Sequence, residues 1–170
     1  MQDADLFALA EDVGAACTRR GLLVAVAESC TGGWTAQMLT AVAGSSAWFE
    51  RGFVAYANAA KVEMLGVDPH LLAQHGAVSL ETAAAMAQGA LRRSHAHVSC
   101  AITGVAGPGG GTPQKPTGFV CFAWGERDSN AVIKTTSCEQ KLFSGDREAV
   151  RRQSVMHALN GLLRLARHVP

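Results

Sequence analysis

The chain has 170 residues, 48% of them hydrophobic and 17% charged, with a formal net charge of +1 at pH 7. That length suits a single domain over 1–170 with a proper core, and the charged share is low against the roughly 25% usual in soluble domains. The near-neutral balance argues against a nucleic-acid binder held by bulk electrostatics, and no apolar run approaches the length of a membrane span.

The start, Met1-Gln2-Asp3-Ala4-Asp5, is acidic and polar, unlike a secretory leader. Leu6, Leu9, Ala10, Val13 and Cys17 follow helical spacing, and Gly21 stops that helix. Leu22 to Ala27 is a continuous apolar run that reads as a buried strand. It leads into Glu28-Ser29-Cys30-Thr31-Gly32-Gly33, after which Trp34 to Leu39 reads as the start of a helix. A hydroxyl, a thiol and two glycines therefore sit at a strand-to-helix turn, where open α/β sheets bind ligands. Glycines let a ligand approach the backbone, and helix-start amides attract anions. A nucleophile here would have an oxyanion or phosphate site at hand. Ser and Thr are also ordinary N-caps, so the segment alone leaves cap and nucleophile both open.

The second helix is expected to end near 43–46, and Phe49 to Tyr56 suits a strand. Asn58 reads as the cap of a short helix through Leu65, closed by Gly66. That cap puts Lys61 in the first turn, where the helix dipole disfavours a cation by about 0.3–1 kcal/mol. One pKa unit is about 1.4 kcal/mol, so burial would have to supply most of any shift that makes Lys61 a neutral base. A solvated surface lysine is the other reading. Pro69 begins a further short helix ending near Gly76, and Ser79 caps one running to about Ser94, with Thr82 where a capping box has its acidic partner. His95 and His97 would share a strand face but lack a thiol or carboxylate partner for a metal, and are read as structural.

Val98 to Ile102 looks like an inner strand. The segment after it, Thr103-Gly104-Val105-Ala106-Gly107-Pro108-Gly109-Gly110-Gly111, has neither a Walker lysine nor the Rossmann spacing. It reads as a ligand-contacting backbone loop or a mobile lid. Phe119 to Trp124 and Ala131 to Thr136 read as two strands joined by the polar turn 126–130. Asp146 can cap a long amphipathic helix reaching about Arg167. Arg147 at its start could pair with a phosphate or carboxylate, whereas Arg152 reads more simply as part of a solvated face. The expected fold is a three-layer α/β/α sandwich with a mixed, mostly parallel sheet.

The five cysteines (Cys17, Cys30, Cys100, Cys121 and Cys138) are odd in number and contain no Cys-x-x-Cys pair. They argue against a zinc site or a disulfide framework and fit a reducing cytoplasm. A lean charged surface fits one partly covered by a second copy, hence a homodimer. No Ser-His-Asp order is present, so a serine hydrolase would need another base, and Lys61 is the available one. Cys30, taken as lying in a helix first turn, would have a lowered thiol pKa and is intrinsically the better nucleophile.

Several segments, in order, resemble the CinA C-terminal domain family: Ala27-Glu28-Ser29-Cys30-Thr31-Gly32-Gly33, Gly44 to Phe49, Gly52 to Lys61, His75 to Ser79, Thr103 to Pro108, and Gly145-Asp146-Arg147. The likeness covers nearly the whole chain and is to the family's stand-alone form, without the N-terminal domain some members carry. What it implies is metal-independent, cofactor-free hydrolysis of the carboxamide of nicotinamide mononucleotide to nicotinic acid mononucleotide and ammonia, in pyridine-nucleotide salvage. The implied catalytic pair is Ser29 and Lys61, with Tyr56 relaying a proton or orienting Lys61 and Cys30 lining the pocket. Amides around Cys30, Thr31, Gly32 and Gly33 would hold the oxyanion. Ser46, Thr103, Gly104 and Gly107 would be further substrate contacts, and Arg147 would hold the 5′-phosphate. The family often has Asp or Thr after the Gly-Pro of its loop, where Gly109 stands here. Two other readings are a non-catalytic, competence-associated nucleotide-binding module and a Ser/Lys hydrolase of a different small amide.

Overall fold

The structure, a computed structural model, describes residues 3–168; Met1 and Gln2 of the acidic start lie outside the described residues. In chain order the elements are α1 (Asp3–Arg20), β1 (Val24–Glu28), α2 (Trp34–Thr40), a 3₁₀ turn (Ser45–Ala47) and β2 (Phe49–Val54). They continue with α3 (Asn58–Leu65), α4 (Pro69–His75), α5 (Leu80–Arg92), β3 (Val98–Gly104), β4 (Phe119–Arg127), β5 (Ile133–Leu142) and α6 (Arg147–His168). The sheet has the order β2-β1-β3-β4-β5. β1 pairs parallel with β2 and β3, whereas β3–β4 and β4–β5 are antiparallel. Helical crossovers join the first three strands and a loop and a hairpin join the rest, as the two pairing geometries require.

Strand alternation builds two cores. Val24 and Val26 face a cluster containing Leu6 and Val13 of α1, Leu39 of α2 and Leu159 of α6. Ala25 and Ala27 face Leu65 of α3, Leu72 of α4 and Met86 of α5. β1 is therefore buried on both sides, which explains its continuous apolar run. Each buried Leu or Val side chain contributes roughly 1.5–3 kcal/mol relative to exposure. Trp124, 1% exposed, lies over Gly161 of α6 and donates from Nε1 to the Ala158 carbonyl at 3.2 Å. A side chain at position 161 would collide with its indole.

Local signals place most boundaries, with some corrections. Asp68 and Ser79 accept amides from His70 and Thr82 as helix caps, Gly66 ends α3 in the left-handed region, and Asp146 accepts the Ala149 amide. Asn58 is not a cap: Ala57 holds that position without a side-chain bond, and the Lys61 amide donates to the Ala57 carbonyl at 3.2 Å. Lys61 thus stands one residue further into the helix than the expected cap implied. α2 stops at Thr40 instead of near 43–46. His95 and His97 precede β3 and share no strand face; His97 Nδ1 accepts the Leu23 amide at 2.9 Å. β4 and β5 run longer than expected, to Arg127 and Leu142, and Asp128 Oδ1 closes the turn between them, accepting the amides of Asn130 and Val132 at 2.9 Å each. No helix among the described residues is long and apolar enough to cross a membrane.

Candidate active site

β1, β2 and β3 are parallel, so their carboxyl ends emerge at one edge of the sheet. With the order β2-β1-β3, the chain leaves β1 for one neighbour and later returns to the other, a topological switch point of the kind that opens a ligand crevice. A cavity of about 290 Å³ lies there, lined among others by Ser29, Cys30, Lys61, Thr103, Gly107 and Arg147. That volume is at the lower end of the roughly 300–1,000 Å³ of small-molecule sites.

Alternation at the end of β1 decides what each side chain meets. The Ser29 amide donates to the Ile102 carbonyl at 3.0 Å, carrying the β1–β3 ladder one residue past the strand. Glu28 therefore turns toward α2 and Ser29 toward α3. The Glu28 carboxylate, 1% exposed, accepts three amides at the α2 start: Gly33 at 3.2 Å and Thr35 at 3.1 Å on Oε2, and Ala36 at 2.8 Å on Oε1. Gly32 and Gly33, at φ 62° and 95°, let the chain fold back so tightly. The helix start read as an open anion site is thus occupied by the chain's own carboxylate. The Gly32 amide is also taken, by the Ser29 carbonyl at 3.0 Å. Of the turn amides expected to hold an oxyanion, only those of Cys30 and Thr31 are without an acceptor among the described residues.

On the other side Lys61, 1% exposed, extends from α3 to the turn. Its Nζ lies 3.1 Å from Ser29 Oγ and 3.0 Å from each of the Ala55 and Tyr56 carbonyls. Burial draws the Lys61 ammonium below its ordinary pKa, against an opposing influence of the Cys30 sulfur. A neutral amine that donates two N–H groups to the two carbonyls presents its lone pair to Ser29 Oγ, so the Ser29 hydroxyl can donate to it. The solvated surface lysine is excluded by this burial.

Burial pushes the Cys30 thiol up to about 12, Glu28 adding to that rise while its own amide, Arg151 and Lys61 oppose it. The expected lowering is reversed, because Cys30 precedes the helix by four residues, in a turn whose helix-start amides face Glu28. Tyr56 meets Lys61 through its backbone carbonyl, not its phenol. Its ring is 58% exposed at the cavity mouth, where its hydroxyl accepts from Arg147 at 3.1 Å. Arg147 also donates to the Gly107 carbonyl at 2.8 Å, bridging that mouth to the glycine loop. Thr103 Oγ1 donates to the Ala77 carbonyl at 2.7 Å, fixing the opposite wall. A Cβ on Gly104 would approach Val120 Cγ2 to 2.8 Å, whereas Gly109 borders open space, so that part of the wall offers backbone alone.

Thr31, Gly32 and Gly33 shape the turn without lining the cavity. Ser46 is not brought to it: it lies exposed in the 3₁₀ turn that enters β2, at the amino end of the strand, away from the carboxyl-edge cavity. Sequence reasoning gave no role to Glu28, although an acidic residue ahead of a glycine pair at a helix start is a legible signal. It also gave Arg151 no role of its own, yet Arg151 donates to the Thr31 carbonyl at 2.8 Å and its guanidinium lies 5.4 Å from the Trp34 ring centre.

The chain is similar to known proteins over nearly its whole length. The family model described as the CinA C-terminal domain matches residues 6–166. The nicotinamide-nucleotide amidohydrolase PncC of Escherichia coli (strain K12) is 49% identical over 162 residues, 95% of each chain. The protein of that name from Pseudomonas putida is 51% identical over 157 residues, 92% of this chain and 94% of its own. Among solved structures, the competence/damage inducible protein CihA from Agrobacterium tumefaciens superposes with a TM-score of 0.87 at 45% identity, covering 95% of each chain.

Proposed function

The chain belongs to the CinA C-terminal domain family, and from that membership we propose that it hydrolyses the carboxamide of nicotinamide mononucleotide to nicotinic acid mononucleotide and ammonia. The amidohydrolase names of its full-length relatives support the substrate. The observation that carries the chemistry is the 3.1 Å approach of buried Lys61 Nζ to Ser29 Oγ, with carbonyls at its other two contacts.

Neutral Lys61 takes the Ser29 proton as Oγ bonds to the carboxamide carbon. The Cys30 amide, in the cavity wall, receives the oxyanion. Lys61 then returns the proton to the departing nitrogen, the C–N bond breaks and ammonia leaves an acyl-serine. Water, deprotonated by Lys61, attacks that ester, and the proton passes back to Ser29 as the carboxylate product is released. Arg147 uses two of its five N–H donors on Gly107 and Tyr56, which leaves three for the 5′-phosphate at the mouth. Cys30, protonated at neutral pH, is a wall residue and not the nucleophile. This reading places the protein in the cytoplasm, in pyridine-nucleotide salvage, and keeps the homodimer inferred from its sparse charge.

The test is incubation with nicotinamide mononucleotide, measuring ammonia and nicotinic acid mononucleotide. Wild type and Cys30→Ala are expected to release both, and Ser29→Ala neither. Activity retained by Ser29→Ala but lost in Cys30→Ala would overturn the assignment. Tight binding by wild type without turnover would support a non-catalytic nucleotide-binding module. Faster cleavage of the unphosphorylated riboside would point to a different small amide.

A further inference from the structure

The turn between Glu28 and Gly33 is held from both ends by side chains that do not line the catalytic cavity. At one end Glu28 gathers the Gly33, Thr35 and Ala36 amides. At the other, Arg151 of α6 donates to the Thr31 carbonyl, two residues after Ser29. Between these anchors stand Ser29 and the only two turn amides without an acceptor among the described residues. A helix start left open would attract any anion in the crevice, including the developing oxyanion, to amides remote from Ser29. A carboxylate seated on them removes that competition and fixes the direction of the free amides before substrate arrives. Fixed donors cost no reorganisation at the moment of reaction.

We propose that Glu28, assisted by Arg151, is a positioning residue that occupies the α2 amides and clamps the turn, so that the Cys30 amide in the cavity wall is directed at the oxyanion formed on Ser29. The inference rests on the amidase reading for its substrate, but its geometry concerns Ser29 whatever acyl group is attacked. Substrate phosphate is accordingly excluded from the α2 start and is held at the mouth. Glu28→Gln keeps the side-chain shape while replacing one acceptor oxygen by an NH₂ that cannot face an amide N–H. Arg151→Met keeps an unbranched side chain beside Trp34 and removes the donor together with the guanidinium charge.

Two readouts separate positioning from a merely structural role. With nicotinamide mononucleotide, Glu28→Gln is expected to lower kcat about 10²-fold, the scale of losing an oxyanion donor. KM should stay within about threefold, because neither residue meets substrate. Arg151→Met should lower kcat about tenfold with the same KM. The second readout is phosphonylation of Ser29 by diisopropyl fluorophosphate, followed by intact mass. Ser29 Oγ bonds to phosphorus, Lys61 accepts the hydroxyl proton, fluoride leaves, and the phosphoryl oxygen takes the oxyanion position. Both variants should slow this labelling by factors similar to their kcat losses, with thermal unfolding confirming that they remain folded. Unchanged kcat and unchanged labelling in folded Glu28→Gln would overturn the proposal. Should that variant fail to fold, unchanged values in Arg151→Met would do the same. If wild type labels at Ser29 but does not turn over the mononucleotide, the amidase reading fails, and slower labelling of the variants still supports the clamp.

Discussion

Glu28 and Lys61 flank the same serine, are equally buried at 1% exposure, and satisfy their polar atoms almost entirely with backbone, yet the two environments do opposite things. Around Glu28 every partner is an N–H, so its oxygens can only accept. Around Lys61 two partners are carbonyls and the third is a hydroxyl, which can accept from an ammonium or donate to an amine. Lys61 can therefore lose its proton without leaving any neighbour unpaired, whereas Glu28 is bound only as an acceptor. A partner that can both accept and donate separates the base from the structural anchor.

Four measurements would break or sharpen that contrast. The largest effect is expected from Lys61→Met, which fills the same space without a base. kcat for the amidase reaction should fall about 10³-fold, and urea denaturation should show a much smaller change in stability. Glu28→Ala should reverse the pattern's emphasis on stability. Three amides lose their acceptor at roughly 1–3 kcal/mol each, less whatever water restores, so a loss of about 3 kcal/mol is expected in urea denaturation. Comparable stability losses in the two variants would break the comparison.

The third measurement is the pH dependence. Lys61 acts as a base only when deprotonated, and its pKa is lowered by burial from 10.5. kcat/KM should climb about tenfold per pH unit along an acidic limb whose midpoint lies below 10.5, and the limb should vanish in Lys61→Met. The same shift affects stability: the unfolded chain holds this proton more tightly, so between the lowered value and 10.5 stability rises with pH and falls as pH drops. A limb centred at or above 10.5 would sink the lone-pair argument. The smallest effect concerns Thr35, whose amide serves Glu28 while its own buried hydroxyl has no hydrogen-bond partner among the described residues. Thr35→Val should be neutral or stabilise by about 1 kcal/mol in thermal unfolding, without changing kcat. A clear loss would mean that the hydroxyl takes part in the clamp.

Much of the frame was legible along the chain because its signals are local. The apolar run of β1, the Gly66 stop, the Ser79 and Asp146 caps and the glycine turn after Ser29 each depend on a few neighbouring residues. The strand-to-helix turn reads along the chain as a candidate site, and a cavity opens there. Where local reasoning went astray, the path of the chain or a longer-range contact decided otherwise. Asn58 looks like a cap, but the chain leaves β2 with Ala57 already in that position. Cys30 looks like an activated thiol, but the amides that would activate it are turned to Glu28, and burial dominates. Ser46 belongs to a matching segment, yet the fold carries it to the far end of β2.

Residue order by itself determined the alternation that sends Glu28 and Ser29 to opposite faces of the sheet, since a strand's side chains alternate whatever surrounds them. It also determined that a turn with two glycines would follow, because few other residues accept those positive φ values. Only the tertiary structure decided which groups wait on each face. Lys61 reaches Ser29 across 32 residues of chain, and Arg151 reaches Thr31 across 120. Burial, the term that draws the Lys61 pKa down and pushes that of Cys30 up, exists only once the sheet and its two helical layers have closed around the turn.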